Sequence, residues 1–262
     1  MNPAPQLATS LKQLRLSGIL DSLERRNRQA IQDGLSFTDF LGLLVQDEIA
    51  RRDQKKFSGR FRRANFRGEK TIENFDFRFN PSINQQMIRD LATCRFIEEK
   101  ANVLIAGPCG TGKSHVAQAI GHAAIRLGYE TLFITQNRLF AQLLEARGKG
   151  TYQKKLAQLI GIDLLIIDDF GLRPLESRNE EDFHEIIAER YEAKPTIITS
   201  NLEYSEWGEA FPNRLLGVAT LDRLRHGAYR VTLEGASYRS AVPGEKGKDL
   251  TTESKQTKKG AD

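Results

Sequence analysis

The sequence has no membrane span, since no run approaches the roughly 20 consecutive apolar residues needed to cross a bilayer. Its opening, Met1-Asn2-Pro3-Ala4-Pro5, leads into a charged amphipathic pattern rather than an apolar core with a cleavage site. No secretory signal is read there, and a cytoplasmic protein is expected. Cysteine is scarce. The two in 262 residues, Cys94 and Cys109, cannot make a metal cluster by themselves, and Cys109 reads as a small filler of a loop rather than a nucleophile. From about Gly244 the chain has Leu250 as its single strong apolar residue and turns to Lys, Gly, Thr and Asp, so residues 244–262 are expected to be a disordered tail. A hydrophobic content of 39% still suits one large or two small domains with a real core.

Excess charge is also missing from most of the chain. Residues 1–75 hold 14 of the 39 Lys and Arg against 9 of the 34 Asp and Glu, which accounts for the whole net charge of +5 and leaves the remainder neutral. Residues 51–70 concentrate it further. Arg51, Arg52, Lys55, Lys56, Arg60, Arg62, Arg63, Arg67 and Lys70 face only Asp53 and Glu69, a local +7. Clustered Arg and Lys on a helix is the electrostatic footprint of a phosphate-tracking surface, and the reading favoured here is DNA contact through Arg51 to Arg67. The blander alternative is that Phe57, Phe61 and Phe66, interleaved with these residues, anchor the helix to a neighbour while the cations are solvated.

Helical spacing of Leu7, Leu11, Leu14, Ile19 and Leu23 predicts a helix from about Leu7 to Ala30. Ser36-Phe37-Thr38-Asp39 resembles a capping box with Asp39 in place of Glu. It opens a second helix, whose stripe of Phe37, Phe40, Leu41, Leu44, Val45 and Ile49 gives way to the basic block. Residues 71–84, with Ile72, Phe75, Phe77, Phe79 and Pro81, read as a linker docking aromatic residues on the next domain, and Asn84 to Lys100 fits a helix.

The central feature is Gly107-Pro108-Cys109-Gly110-Thr111-Gly112-Lys113-Ser114, which satisfies G-x-x-x-x-G-K-[ST]. It follows the strand-like Asn102-Val103-Leu104-Ile105-Ala106 and opens a helical pattern, the context the motif requires. The glycines let the backbone turn tightly and aim N–H groups at a polyphosphate. The helix N-terminus adds partial positive charge, Lys113 reaches the β- and γ-phosphates, and the Ser114 hydroxyl is placed to hold Mg²⁺. ATP and Mg²⁺ are the expected ligands, with His115 as the last residue of the binding segment.

Further strands are read at Thr131–Thr135, Leu164–Asp169, Pro195–Asn201 and Tyr229–Leu233. Continuously apolar strands separated by helices predict an α/β fold with a parallel sheet covered on both faces. Arg147 to Lys155, with Gly148, Gly150 and four basic residues, is the most loop-like stretch of this half. Asp168 ends a buried strand where a second Mg²⁺-holding group belongs, and Asp169 is the candidate base or water-positioner. Thr199, Ser200 and Asn201 end the next strand, and Asn201 is the chosen γ-phosphate sensor; a turn role is its plainer alternative.

The ordered set Gly107–Ser114, Leu164–Gly171, Glu189-Arg190-Tyr191, Pro195–Asn201, Leu221-Asp222-Arg223-Leu224 and Ser237-Tyr238-Arg239 resembles the AAA+ ATPases of the IstB/DnaC group. Leu14-Arg15-Leu16, the helix from Ser36 to Arg52, Ala64-Asn65-Phe66 and Lys70–Phe75 are similar to IstB-like helper ATPases of insertion-sequence transposition. The resemblance implies a five-stranded AAA+ core with nucleotide bound between subunits of a homo-oligomer, and a duplex-DNA-binding ATPase acting with a transposase. A helicase loader of the DnaC kind is the alternative. The implied layout is a basic helical unit over residues 1–70, a linker over 71–84 and an ATPase domain over 85–243. An arginine finger from the neighbour is implied too, with Arg223 the first candidate and Arg214 and Arg225 its rivals; Arg239 fits the group's Ser-Tyr-Arg element. Two departures are visible. Asp168-Asp169 replaces the Asp-Glu of many AAA+ proteins, which implies slow or partner-dependent turnover, and the chain after Leu233 has no pattern for a helical lid domain.

Overall fold

The computed structural model describes residues 5–79, 83–235 and 237–238. Arg239, Pro81, the expected tail and the stretch bearing on a lid domain lie outside them.

The helix expected from Leu7 to Ala30 is two helices, α1 (Pro5–Gln13) and α2 (Ser17–Asp33), parted where Arg15 takes a φ of 57°. The cause lies 30 residues on. The Glu48 carboxylate accepts the Gly18 N–H (2.6 Å) and the Ile19 N–H (3.3 Å), supplying the acceptors that a new helix start needs and that Leu16 lacks. Gly18 permits the approach, because a Cβ there would stand 2.7 Å from the Glu48 Cα. Gly18→Ala is therefore expected to cost about 1–3 kcal/mol, read as a lowered Tm with little change in helix content. An unchanged Tm would remove Glu48 as the organiser of this pair.

Glu48 belongs to α3 (Phe37–Ala64), 28 residues long. Ser36 caps it as the capping box predicts. Its Oγ accepts the Asp39 N–H (3.1 Å), while its hydroxyl donates to the Asp39 carboxylate (2.6 Å). The helix does not stop near Arg52 but carries the basic block to Ala64, where Asn65 ends it in the left-handed conformation at φ 59°. Its apolar stripe splits. Leu44 is buried, whereas Phe37 (94%), Leu41, Val45 and Ile49 are exposed.

The helix expected over Asn84–Lys100 also breaks, into α4 (Gln85–Ala92) and α5 (Arg95–Glu98), at Cys94 with φ 61°. The turn lets Ile88, Leu91, Cys94 and Phe96 all enter the core. Five strands then form one parallel sheet in the order β2-β3-β4-β1-β5: β1 (Val103–Ala106), β2 (Thr131–Thr135), β3 (Leu164–Phe170), β4 (Thr196–Ser200) and β5 (Tyr229–Thr232). The period of two divides their side chains between two layers. Val103, Ile105, Ile166 and Ile197 pack with α4, α5 and α6 (Lys113–Arg126). Leu104, Leu165, Ile167 and Ile198 pack with α7 (Gln136–Gly148), α8 (Tyr152–Gly161), α9 (Ser177–Arg190), a 3-10 helix (Glu206–Ala210) and α10 (Arg214–Arg225).

Two arginines fasten the second layer. Arg190 is 2% exposed and donates to the carbonyls of Leu159, Ile160, Ile162 and Pro195 and to the Thr196 hydroxyl, closing the C-terminal end of α8; burial pulls its pKa down to about 9. Arg147 pairs with Asp182 and lies over the Tyr152 ring, 3.7 Å from its centroid, and the Tyr152 hydroxyl donates to the same carboxylate. That staple explains why Arg147–Lys155 is not a loop. α7 and α8 are parted only by the turn Lys149-Gly150-Thr151.

The N-terminal helices dock on this core through the end of α3. The Phe66 ring stacks on His122 of α6 (4.5 Å between centroids), with Phe61 edge-on to the same imidazole (4.9 Å) and Phe57 against Phe61 (6.1 Å). Asn65 Nδ2 donates to the Phe133 carbonyl of β2 (3.3 Å), and Arg60 and Arg63 both pair with Glu130. The aromatic residues among the basic block are thus anchors, and two of its arginines hold the dock.

Candidate nucleotide site

The glycine loop joins β1 to α6 on a path that only glycine follows readily. Gly107, Gly110 and Gly112 have φ of 145°, 83° and 99°, and a Cβ on Gly107 would lie 2.0 Å from the Leu233 carbonyl oxygen. Lys113 opens α6, and its ammonium folds back to donate to the carbonyls of Gly107 (2.7 Å) and Pro108 (2.6 Å). This aims its charge across the mouth of the loop. One residue on, the Ser114 hydroxyl donates to Asp168 Oδ1 (2.8 Å), bringing together the two Mg²⁺-holding residues expected from the sequence. An oxygen-only pair suits a hard cation that takes its remaining ligands from water and phosphate.

β3 runs two residues beyond Asp168, and its register with β4 shifts between Ile167 and Phe170. Asp169 sits in this irregularity with φ 61°, a left-handed conformation that turns it toward the cleft. Thr199 ties the two acids together. Its hydroxyl donates to Asp168 Oδ1 and its oxygen accepts the Asp169 N–H (3.2 Å). Of the three polar residues ending β4, Thr199 thus contacts the acids, Ser200 donates inward to the Phe170 carbonyl (2.7 Å), and Asn201 is half-buried in the cleft wall.

The cleft has a volume of about 590 Å³, within the usual range for a small-molecule site. Much of one wall comes from the segment read as a linker. The Phe75 ring lies against Gly112 and edge-on to His115 (5.1 Å), and Phe79 is edge-on to Tyr238 (4.9 Å). His115 Nε2–H donates to the Thr71 carbonyl (2.9 Å), tying the start of α6 to this segment, and burial lowers its pKa. Tyr238 N–H donates to the Gly110 carbonyl (3.0 Å), drawing the far end of the described chain over the loop. Lys70, Asn74 and Asp76 also line the cleft, and sequence reasoning missed them. Their signal was the bare proximity of a Phe-rich segment to the first strand, which does not say where that segment crosses the sheet.

The basic block divides. Arg51 pairs with Asp21, Arg52 with Glu48, Lys56 with Asp53, and Arg60 and Arg63 with Glu130, while Arg67 turns into the cleft. Lys55 and Arg62 are exposed on α3 and have no ion pair among the described residues. The arginine-finger candidates are spread along α10. Arg214 is exposed at its start. Arg223 is half-buried and donates to the Ala219 carbonyl (2.9 Å), while Arg225 is committed to the Tyr204 carbonyl. Asn102 Nδ2 donates to the Arg223 and Leu224 carbonyls (3.4 and 3.2 Å), so that end of α10 lies at the opposite end of β1 from the phosphate loop. Among the described residues no helix is long and apolar enough to cross a membrane.

Solved structures share this core. The DnaC helicase loader superposes with a TM-score of 0.55 at 20% identity, covering 63% of this chain and 97% of its own. AMPPCP-bound DnaA from Aquifex aeolicus gives 0.55 at 23%, covering 65% of this chain and 51% of its own. At such identities the likeness establishes the AAA+ P-loop fold alone. Sequence relatives are nearer. An insertion-sequence protein from Mycobacterium tuberculosis, described as ATP-binding, is 36% identical over 236 residues, 90% of this chain and 94% of its own. Another from the IS5376 element of Geobacillus stearothermophilus is 39% identical over 205 residues, 78% of this chain and 82% of its own. The family described as IstB-like ATP binding protein matches residues 9–243, and the chain belongs to that family.

Proposed function

We propose that this protein is an ATP-dependent, DNA-binding helper of transposition that assembles on duplex DNA and controls a transposase through ATP binding and hydrolysis. The observation that carries the reading is the Ser114–Asp168 contact (2.8 Å) beside the Lys113 loop, in a cleft that Arg67 and Lys70 of the basic block also line. Insertion-sequence relatives described as ATP-binding support it.

In this reading Lys113 neutralises charge on the β- and γ-phosphates, and Asp169 orients the water for in-line attack. Thr199 fixes the position of both acids, and Asn201 senses the terminal phosphate. Ser114 and Asp168 would hold Mg²⁺, which supplies further charge neutralisation when bound. Arg223 acts across a subunit interface, since its own phosphate loop lies at the other end of β1. The one-methylene-shorter Asp169 makes slow, DNA- or partner-stimulated turnover the expected behaviour.

DNA contact falls to the cations of α3 that do not hold the dock. Exposed pairs such as Lys56–Asp53 are weak and release readily to phosphate. If about five basic residues meet phosphates, log affinity for duplex DNA falls with log salt at a slope of about −4.5. Replacing Lys55, Lys56 and Arg62 together with Ala is expected to flatten that slope by up to about 3 units and to weaken all sequences alike, with ATP binding retained. An unchanged slope, with binding lost on replacing Lys149, Lys154 and Lys155, would move the DNA surface to the α7–α8 turn.

The exposed stripe of Phe37, Leu41, Val45 and Ile49 favours a second reading, a loader that grips a protein partner. Gel shifts on duplex and single-stranded DNA, with and without ATP, separate the two. Duplex preference supports the transposition helper, and single-strand preference supports the loader.

A further inference from the structure

Arg67 stands among the DNA-binding candidates by sequence, yet the fold places it on the wall of the cleft that holds the phosphate loop. Its backbone N–H donates to Gln118 Oε1 (2.7 Å), and Gln118, 0% exposed, donates in turn to the Ser114 carbonyl (3.0 Å). The main chain of Arg67 is therefore two hydrogen bonds from the residue whose hydroxyl meets Asp168. Asn65 pins the same turn to β2, the neighbour of β3, so Arg67 approaches on the flank that carries the two acids. The aromatic wall of Phe75, Phe79 and Tyr238 lies instead over Gly110 and Gly112.

The Arg67 side chain lines the cleft together with Lys113, Asp168 and Asp169. Its one described contact is loose, with the guanidinium carbon 6.0 Å from the Phe133 ring centroid, and no carboxylate pairs with it among the described residues. A guanidinium held at the rim of a polyphosphate site, without an acid partner, matches the geometry and charge of a phosphate. If Ser114 and Asp168 held Mg²⁺ there, the terminal phosphate of a nucleotide would lie on the side of the cleft that Arg67 lines.

We propose that Arg67 binds the γ-phosphate from within the same subunit and so reports the nucleotide state to the N-terminal helices. ADP lacks the group that Arg67 holds. The coupling path is short, since Ala64, the last residue of α3, is three positions away, and Phe66 stacks on His122 of the helix that starts at Lys113. This inference rests on the ATP reading above and adds a nucleotide-state sensor to it.

The test is equilibrium binding of AMPPCP and of ADP, each with Mg²⁺, to the full chain and to Arg67→Gln. AMPPCP affinity is expected to fall by about tenfold or more, the usual effect of losing a charged hydrogen bond, with ADP affinity within about twofold. Arg67→Lys is expected to restore part of the loss. In the parent, AMPPCP slows amide exchange over residues 61–70 more than ADP does, and Arg67→Gln abolishes that difference. Equal loss for both nucleotides, or no loss for either, overturns the assignment. If the parent binds neither nucleotide, the ATP reading itself fails, and the inference falls with it.

Discussion

Lys113→Ala is expected to abolish ATP binding, lowering affinity by about a hundredfold or more. The ammonium is the cation whose backbone position is fixed by the first turn of α6, and it donates to carbonyls of its own loop. Removing it leaves the polyphosphate facing Asp168 and Asp169 without the charge that offsets them, a loss of about 3 kcal/mol for a charged hydrogen bond in a partly enclosed site. Because those loop carbonyls can turn to water, the fold should survive, and circular dichroism and Tm should stay near the parent's. Titration with a fluorescent ATP analogue decides the matter. A variant that binds as tightly as the parent would place the nucleotide elsewhere.

The second large effect concerns catalysis across an interface. Arg223→Ala is expected to lower the rate of hydrolysis by about a thousandfold while ATP affinity changes little, since an arginine supplied in trans acts on charge that develops in the transition state. Asp169→Asn should lose turnover and keep binding. Mixing the two variants should then restore part of the activity, because some interfaces pair an intact Asp169 with an intact Arg223. Absence of rescue together with full activity of Arg223→Ala would transfer the role to Arg214 or Arg225.

The phosphate loop and the acids of β3 were legible because they are local. A strand, a glycine turn and a helix start lie within a dozen residues, and each glycine answers a backbone requirement at that point. The five strands were legible for a related reason, since burial on both faces writes continuous apolar runs. What escaped was set by partners distant in the chain. Nothing near Arg15 announces a helix break, because the acceptor that permits it is Glu48. Nothing near Gly150 reveals that Arg147 and Tyr152 share Asp182 and leave only a tight turn. Asn201 was the residue chosen among the polar groups at that strand end, and only the fold puts the Thr199 hydroxyl against both acids. The basic block misled most, since composition counts charges without saying that Arg60 and Arg63 face Glu130 or that Arg67 lines the cleft.

α3 carries one mechanical consequence. As an unbroken helix of 28 residues it is a stiff rod about 42 Å long, and Asn65, Phe66 and the Glu130 pair tie it to the core near its C-terminal end. Such a rod magnifies angle into distance. A tilt of about 10° at Asn65 would carry Phe37 through about 7 Å, more than the rise of a full helical turn.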